Sequence, residues 1–155
     1  MPSDHKARER AFQDHIVNAL QASGWMVGES AKYDRERALY PEDLLAYVQQ
    51  SQPEGWGKFC KTYGEEPERH LLNAAVRALE GQERGTLWLL RNQIEDRGHR
   101  LSVATFKPDH DLNPELTARY AMNRLRVVPE LIYSPHGYDG RLDLTLFLNG
   151  LPIAT

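Results

Sequence analysis

The sequence predicts a single α+β domain in which a mixed β-sheet is flanked by helices. Three observations predict it. Apolar residues recur at helical spacing through the first half, strand-like runs take over after Gly85, and one further helix start interrupts them at Asn113-Pro114-Glu115. The 155 residues are enough for one domain with its own core, and no repeat, low-complexity tract or linker divides them. Residues 1–155 are therefore read as one domain, with a helical front part over 1–84 and a strand-rich part over 85–155.

Each element has a local reason. Residues 5–23 should form an amphipathic helix, because Phe12, Ile16, Ala19 and Leu20 fall at helical spacing and Ser23-Gly24 supplies a stop. Residues 24–40 read mainly as loop. Pro41 takes the first-turn position that proline tolerates, with Glu42 and Asp43 at the positive end of the helix dipole. Pro53, Gly55 and Gly57 read as a break, and residues 66–80 as a helix with Leu71, Leu72, Ala75, Val76 and Leu79 on one side.

Thr86–Leu90 and Leu101–Phe106 read as strands joined by a polar turn near Asp96-Arg97-Gly98. Asn113 should cap a helix whose first residue is Pro114. Residues 124–133 read as a strand, in which Pro129 requires an edge or a bulge because proline cannot donate to a ladder. The clearest strand is 141–148, with Leu142, Leu144, Leu146 and Leu148 on one face and Asp143, Thr145 and Phe147 on the other. The four strands 86–90, 101–106, 124–133 and 141–148 should make one mixed sheet, with the first helix packed on it through Phe12, Ile16 and Leu20.

Composition narrows the function. A net charge of -3 argues against a free-standing DNA binder, because phosphate contacts dominate such affinity. The cluster Arg84, Arg91, Arg97, Arg100, Lys107, Arg119, Arg124 and Arg126 reads, on its own, as solvated surface. The single cysteine, Cys60, excludes an internal disulfide and a zinc site of paired cysteines. The N-terminus lacks an apolar signal core, and no apolar run approaches the roughly 20 residues that cross a membrane. A cytoplasmic location is expected, with no membrane partner. His99, His110 and His136 show no ligand spacing, and His136 sits in a turn-like Ser-Pro-His-Gly-Tyr-Asp-Gly. Asp109 and Asp111 read as turn and capping residues, and no P-loop is present, so this chain is not expected to bind ATP that way.

Two acids stand out. Asp143 lies early in a leucine-rich strand, where an unpaired buried acid is costly; it is either an exposed or salt-bridged strand-end acid or a functional one. Glu9 falls within the apolar arc of the first helix, and either serves the helix dipole or joins a site. Asn149-Gly150 after the strand is a strong hairpin signal. The returning strand would bring residues at about 156–158 beside Asp143.

A strand aspartate followed by a hairpin is the first half of the PD-(D/E)xK nuclease arrangement. Asp143-Leu-Thr-Leu-Phe-Leu-Asn-Gly-Leu-Pro-Ile-Ala-Thr155 resembles the segment that precedes Glu-Leu-Lys in the restriction (R) subunits of type I restriction–modification enzymes. The similarity extends through Phe106-Lys-Pro, Asn113-Pro-Glu, residues 119–128, Tyr133-Ser-Pro, Gly85-Thr-Leu-Trp-Leu-Leu-Arg91, Glu9-Arg-Ala-Phe12 and Gly24-Trp25. Pro129-Glu130 and Gln93 depart from the family pattern, which has Arg-Gln and glycine there.

The resemblance implies a partial restriction-endonuclease-like core, incomplete at its C-terminal end, and Mg²⁺-dependent cleavage of duplex DNA. It implies Asp143 as a catalytic metal ligand, Glu9 as a second ligand, and DNA contacts from Arg124 and Arg126. The second acid and the lysine would follow Thr155, at about positions 157 and 159 of the returning strand, so residues 1–155 alone are expected to be inactive. Implied partners are the methyltransferase and specificity subunits and a helicase-like motor, further along the polypeptide, that uses ATP. The alternative is a truncated or decayed fragment that only docks.

Overall fold

Proline is the first residue of five of the six α-helices among the described residues. The computed structural model describes residues 2–81, 83–134 and 140–155. In it α1 spans Pro2–Ala22, α2 Pro41–Ser51, α3 Pro53–Tyr63 and α4 Pro67–Glu80, and α2, α3 and α4 each carry proline in the first turn. Pro53, Gly55 and Gly57 thus lie in a helix instead of breaking the chain. At Gly55 packing overrides the poor helix propensity of glycine: a Cβ there would come 3.1 Å from Leu101 Cδ2, so the small residue lets the helix approach. Phe59 is buried on α3, with its ring centroid 5.7 Å from that of Trp56 and 4.9 Å from that of Tyr63.

The expected strand over 86–90 is α5, Thr86–Arg91. Its sequence is a continuous apolar run without alternation, and periodicity does not distinguish strand from helix in such a run. Burial of Leu89 and Leu90 in the same core as Leu71 and Ala75 of α4 decides for helix. Asn92 closes it, its Nδ2 donating to Trp88 O at 2.8 Å. The strands that follow are β2 (Gln93–Asp96) and β3 (His99–Ser102), joined as expected through Arg97 and Gly98. They form a sheet of their own, so the single sheet expected is two, and residues 103–106 are not strand.

The main sheet is mixed and four-stranded, in the order β1 (Met26–Val27), β4 (Leu125–Ile132), β5 (Arg141–Leu148), β6 (Leu151–Ala154). β1 runs parallel to β4, and the other pairs are antiparallel. The chain is therefore α+β, with a mixed sheet flanked by helices. α6 (Pro114–Ala121) begins as expected, Asn113 Oδ1 accepting from Leu116 N at 3.2 Å. β1 pairs only with Arg126 and Val127, so the β1 side of Pro129 is free of a ladder. Pairing with β5 passes from Pro129↔Leu144 to Leu131↔Leu142, and Glu130 between them takes φ 51°. Pro129 thus has both an edge and an irregularity beside it.

Two apolar clusters result. The larger joins α2, α3, α4, α5 and the β2–β3 hairpin; the smaller gathers Tyr40, Val128, Leu131 and Phe147 on the main sheet. On β5 the leucines are only half-buried, whereas Thr145 and Phe147 are buried. No described residue of α1 is buried, and Phe12 is 67% exposed. Only Ile16 and Leu20 of the three expected contacts are half-buried. The reason is the charged start of α1, from Asp4 to Arg10, which offers the sheet almost nothing apolar. Among the described residues no helix is long and apolar enough to cross a membrane.

The β5–β6 turn is the two-residue kind, with Asn149 at φ 48° and Gly150 at φ 83°. Gly150 also meets the start of α2: Tyr40 N donates to Gly150 O at 2.8 Å, and a Cβ on Gly150 would lie 2.4 Å from Tyr40 O. Gly150→Ala should therefore destabilise the fold by about 1–3 kcal/mol, read as a lower urea midpoint at unchanged slope.

Candidate functional site

A cleft of about 720 Å³ opens between the first half of α1 and the ends of β4 and β5. Lys6, Glu9, Arg10 and Phe12 line one wall; Glu130, Arg141, Asp143 and Thr155 line the other. The fold thus brings Asp143 and Glu9 to one cleft. Asp143 is exposed and makes no hydrogen bond or ion pair among the described residues. Glu9 does not lie on a buried face: its side chain is 68% exposed, with Oε1 3.0 Å from His5 Nδ1. Glu130, which was not among the expected site residues, joins them in this cleft. The ladder sets it opposite Asp143, and its Oε2 lies 3.7 Å from Arg141 Nη1.

The donor set is short of a metal centre. Mg²⁺ asks for about six oxygens at roughly 2.1 Å, with at least one or two carboxylates among them. Among the described residues no three of histidine, cysteine, aspartate and glutamate converge as ligands. Among the described residues Asp143 is the one acid of the cleft with no basic partner. The residues present do not by themselves fit Mg²⁺, and no hydrolytic step is assigned to them. Thr145, two residues along β5, has a buried hydroxyl without a hydrogen-bond partner among the described residues.

The arginines expected to contact DNA turn inward instead. Arg126 is buried, its Nε donating to Asp43 Oδ2 at 2.6 Å and its Nη2 to Asp43 Oδ1 at 2.9 Å. Arg124 Nε reaches Asp43 Oδ1 at 2.8 Å, and Arg126 Nη1 donates to Val27 O at 3.2 Å. Asp43 is fully buried, so its role is not the exposed helix-dipole acid that its place in the first turn implied. Hydrogen bonding to Asp43 holds the Arg126 guanidinium above its ordinary range despite burial. A DNA contact requires an outward guanidinium, and Arg126 presents none.

The remaining polar residues are structural in their surroundings. His99 Nε2 lies 2.6 Å from Thr62 Oγ1, and His110 Nδ1 accepts from Leu112 N at 3.2 Å. His136 and its expected turn lie outside the described residues. Burial, with Glu68 nearby, pushes the Cys60 thiol up, away from the reactive thiolate. Comparisons with protein families, with curated proteins and with solved structures give no match to this chain.

The two aspartates should separate in a stability measurement. Asp43→Asn should cost about 3–5 kcal/mol, because it leaves buried guanidinium groups without their counter-charge. Asp143→Asn should stay within about 0.5 kcal/mol of the parent, as surface substitutions do. Urea unfolding of both variants reads the difference; an equal loss at Asp143 would make it a structural strand acid.

Proposed function

We propose that this chain is the front part of the nuclease domain of a type I restriction R subunit, on a partial PD-(D/E)xK core. The complete polypeptide would cleave duplex DNA with Mg²⁺, in a complex with methyltransferase and specificity subunits and with an ATP-driven motor of its own. A cytoplasmic setting goes with this reading.

The observation that carries the proposal is the register of the β5–β6 hairpin. Leu148 pairs with Leu151, Phe147 with Pro152, and Leu146 with Ala154, so β6 holds one extra residue at Ile153. Continued at one residue per step, that register sets Asp143 opposite the third residue after Ala154, at about position 157. Directly opposed residues share a face of the sheet, as do positions two apart on one strand. A Glu-x-Lys on the returning strand would thus stand on the Asp143 face. Asp143 has no hydrogen-bond or ion-pair partner among the described residues, which is compatible with a ligand role. In the complete polypeptide Asp143 and the acid of that Glu-x-Lys would together hold the metal, which would supply Lewis-acid chemistry.

The second reading is a docking fragment that cuts nothing. The tie between Glu9 and His5 and the lack of a converged ligand set favour it for these residues alone.

Cleavage and ATP hydrolysis, measured together, distinguish the readings. Residues 1–155 with Mg²⁺ should leave duplex DNA uncut. In the complete polypeptide Asp143→Asn should abolish cleavage, a loss of at least about 100-fold, and leave DNA-dependent ATP hydrolysis at its parent rate. Cleavage near the parent rate would refute the placement of the active site. A coding sequence after Thr155 without Glu-x-Lys on the returning strand would refute the nuclease reading itself.

A further inference from the structure

A second cleft, of about 520 Å³, shares no lining residue with the Asp143 cleft. Arg77 of α4, Arg84, and Trp88 and Arg91 of α5 stand on its walls, with Phe106 at one side. A neighbouring cleft of about 390 Å³ shares Ser102, Ala104 and Phe106 with it and adds Lys107 and Arg119. Phe106, 55% exposed, is thus a ridge with cations on both flanks.

The charges there are not spent within the fold. Arg84, Arg91, Lys107 and Arg119 form no salt bridge among the described residues. Arg77 is held by Asp96 at 3.2 Å, and Glu95, the acid of the first cleft, lies 3.6 Å from Arg100. Asp109 is the acid of the second cleft. Arg84 lies over the Trp88 ring at 4.3 Å, a packing contact that aims a guanidinium without neutralising it. In a chain of net charge -3, unpaired cations gathered around an exposed aromatic ridge are a local feature, not a reflection of composition.

We propose that the paired clefts bind single-stranded nucleic acid. Phosphates lie on Arg84 and Arg91 in one cleft and on Lys107 and Arg119 in the other, and an unpaired base stacks on Phe106. Cationic grooves that track a backbone, with aromatic faces for the bases, are how sequence-tolerant single-strand binding works. A duplex keeps its bases stacked on each other and cannot use the ridge. This site is independent of the nuclease reading, since it uses neither Asp143 nor a metal.

The test is fluorescence anisotropy with a labelled oligothymidylate of about 12 nucleotides at low salt. A duplex of equal length and free thymidine monophosphate are the other arms. The single strand should bind more tightly than the duplex, and the mononucleotide should not compete at matched nucleotide concentration. Arg84→Glu with Arg91→Glu should weaken binding at least about tenfold. Phe106→Ala should weaken the single strand about tenfold and leave duplex affinity unchanged. Arg91 is exposed and its side chain makes no hydrogen bond or ion pair among the described residues, so Arg91→Ala should keep the fold. It should flatten the dependence of log K on log salt by about 0.7. Absence of single-strand binding, indifference to Phe106→Ala, an unchanged salt slope in Arg91→Ala, or competition by the mononucleotide would each overturn the proposal.

Discussion

The main sheet is tied to the helical half of the molecule by one buried carboxylate. Asp43, at the start of α2, is completely out of solvent and receives hydrogen bonds from both Arg124 and Arg126. Burying an acid is tolerable only when it is paired and hydrogen-bonded, and here both of its oxygens are engaged. Arg126 passes the restraint on to β1 through Val27 O and lies over the Tyr40 ring at 4.8 Å. Gly28 leaves room for it: a Cβ there would be 2.6 Å from Arg126 Cδ.

That cluster decides where β5 lies. Arg126 pairs with Phe147 across the β4–β5 ladder, so fixing Arg126 fixes β5 against the start of α2. A second polar hub works beside it. Asn149 is buried, its Oδ1 accepting from Arg124 N at 2.6 Å and its Nδ2 donating to Val103 O at 2.9 Å. The hairpin is therefore held from the loops that flank it as well as by its own ladder. Asp143, at the far end of β5, takes no part in these restraints and has no hydrogen-bond or ion-pair partner among the described residues.

The sequence made the local features legible. Helix starts at Pro41 and Asn113, the strand over 141–148, the Asn149-Gly150 turn and the irregularity at Pro129 each follow from backbone chemistry within a few residues. What it concealed was long-range. Asp43 and Arg126 meet across 83 residues, so their pairing was not legible locally: Asp43 read as a helix-dipole acid and Arg126 as solvated surface, with a DNA contact implied only by the family resemblance. Residues 86–91 became a helix because burial against α4 settled a run that periodicity left open. Glu9 looked buried on a helical wheel, yet the charged first turns of α1 stand off the sheet. Of the candidate site, Asp143 was visible as an acid out of place in its strand; Glu130 was not, because only the ladder sets it opposite.

The most direct test of this account is a double-mutant cycle between Asp43 and Arg126, with Asp43→Asn, Arg126→Gln and the pair compared by urea unfolding. If the buried ion pair is the tie between the two halves, removing both partners should cost less than the sum of the single losses, by at least about 1 kcal/mol. Losses that add within about 0.5 kcal/mol would show that Asp43 and Arg126 are uncoupled and that the sheet is held by other means.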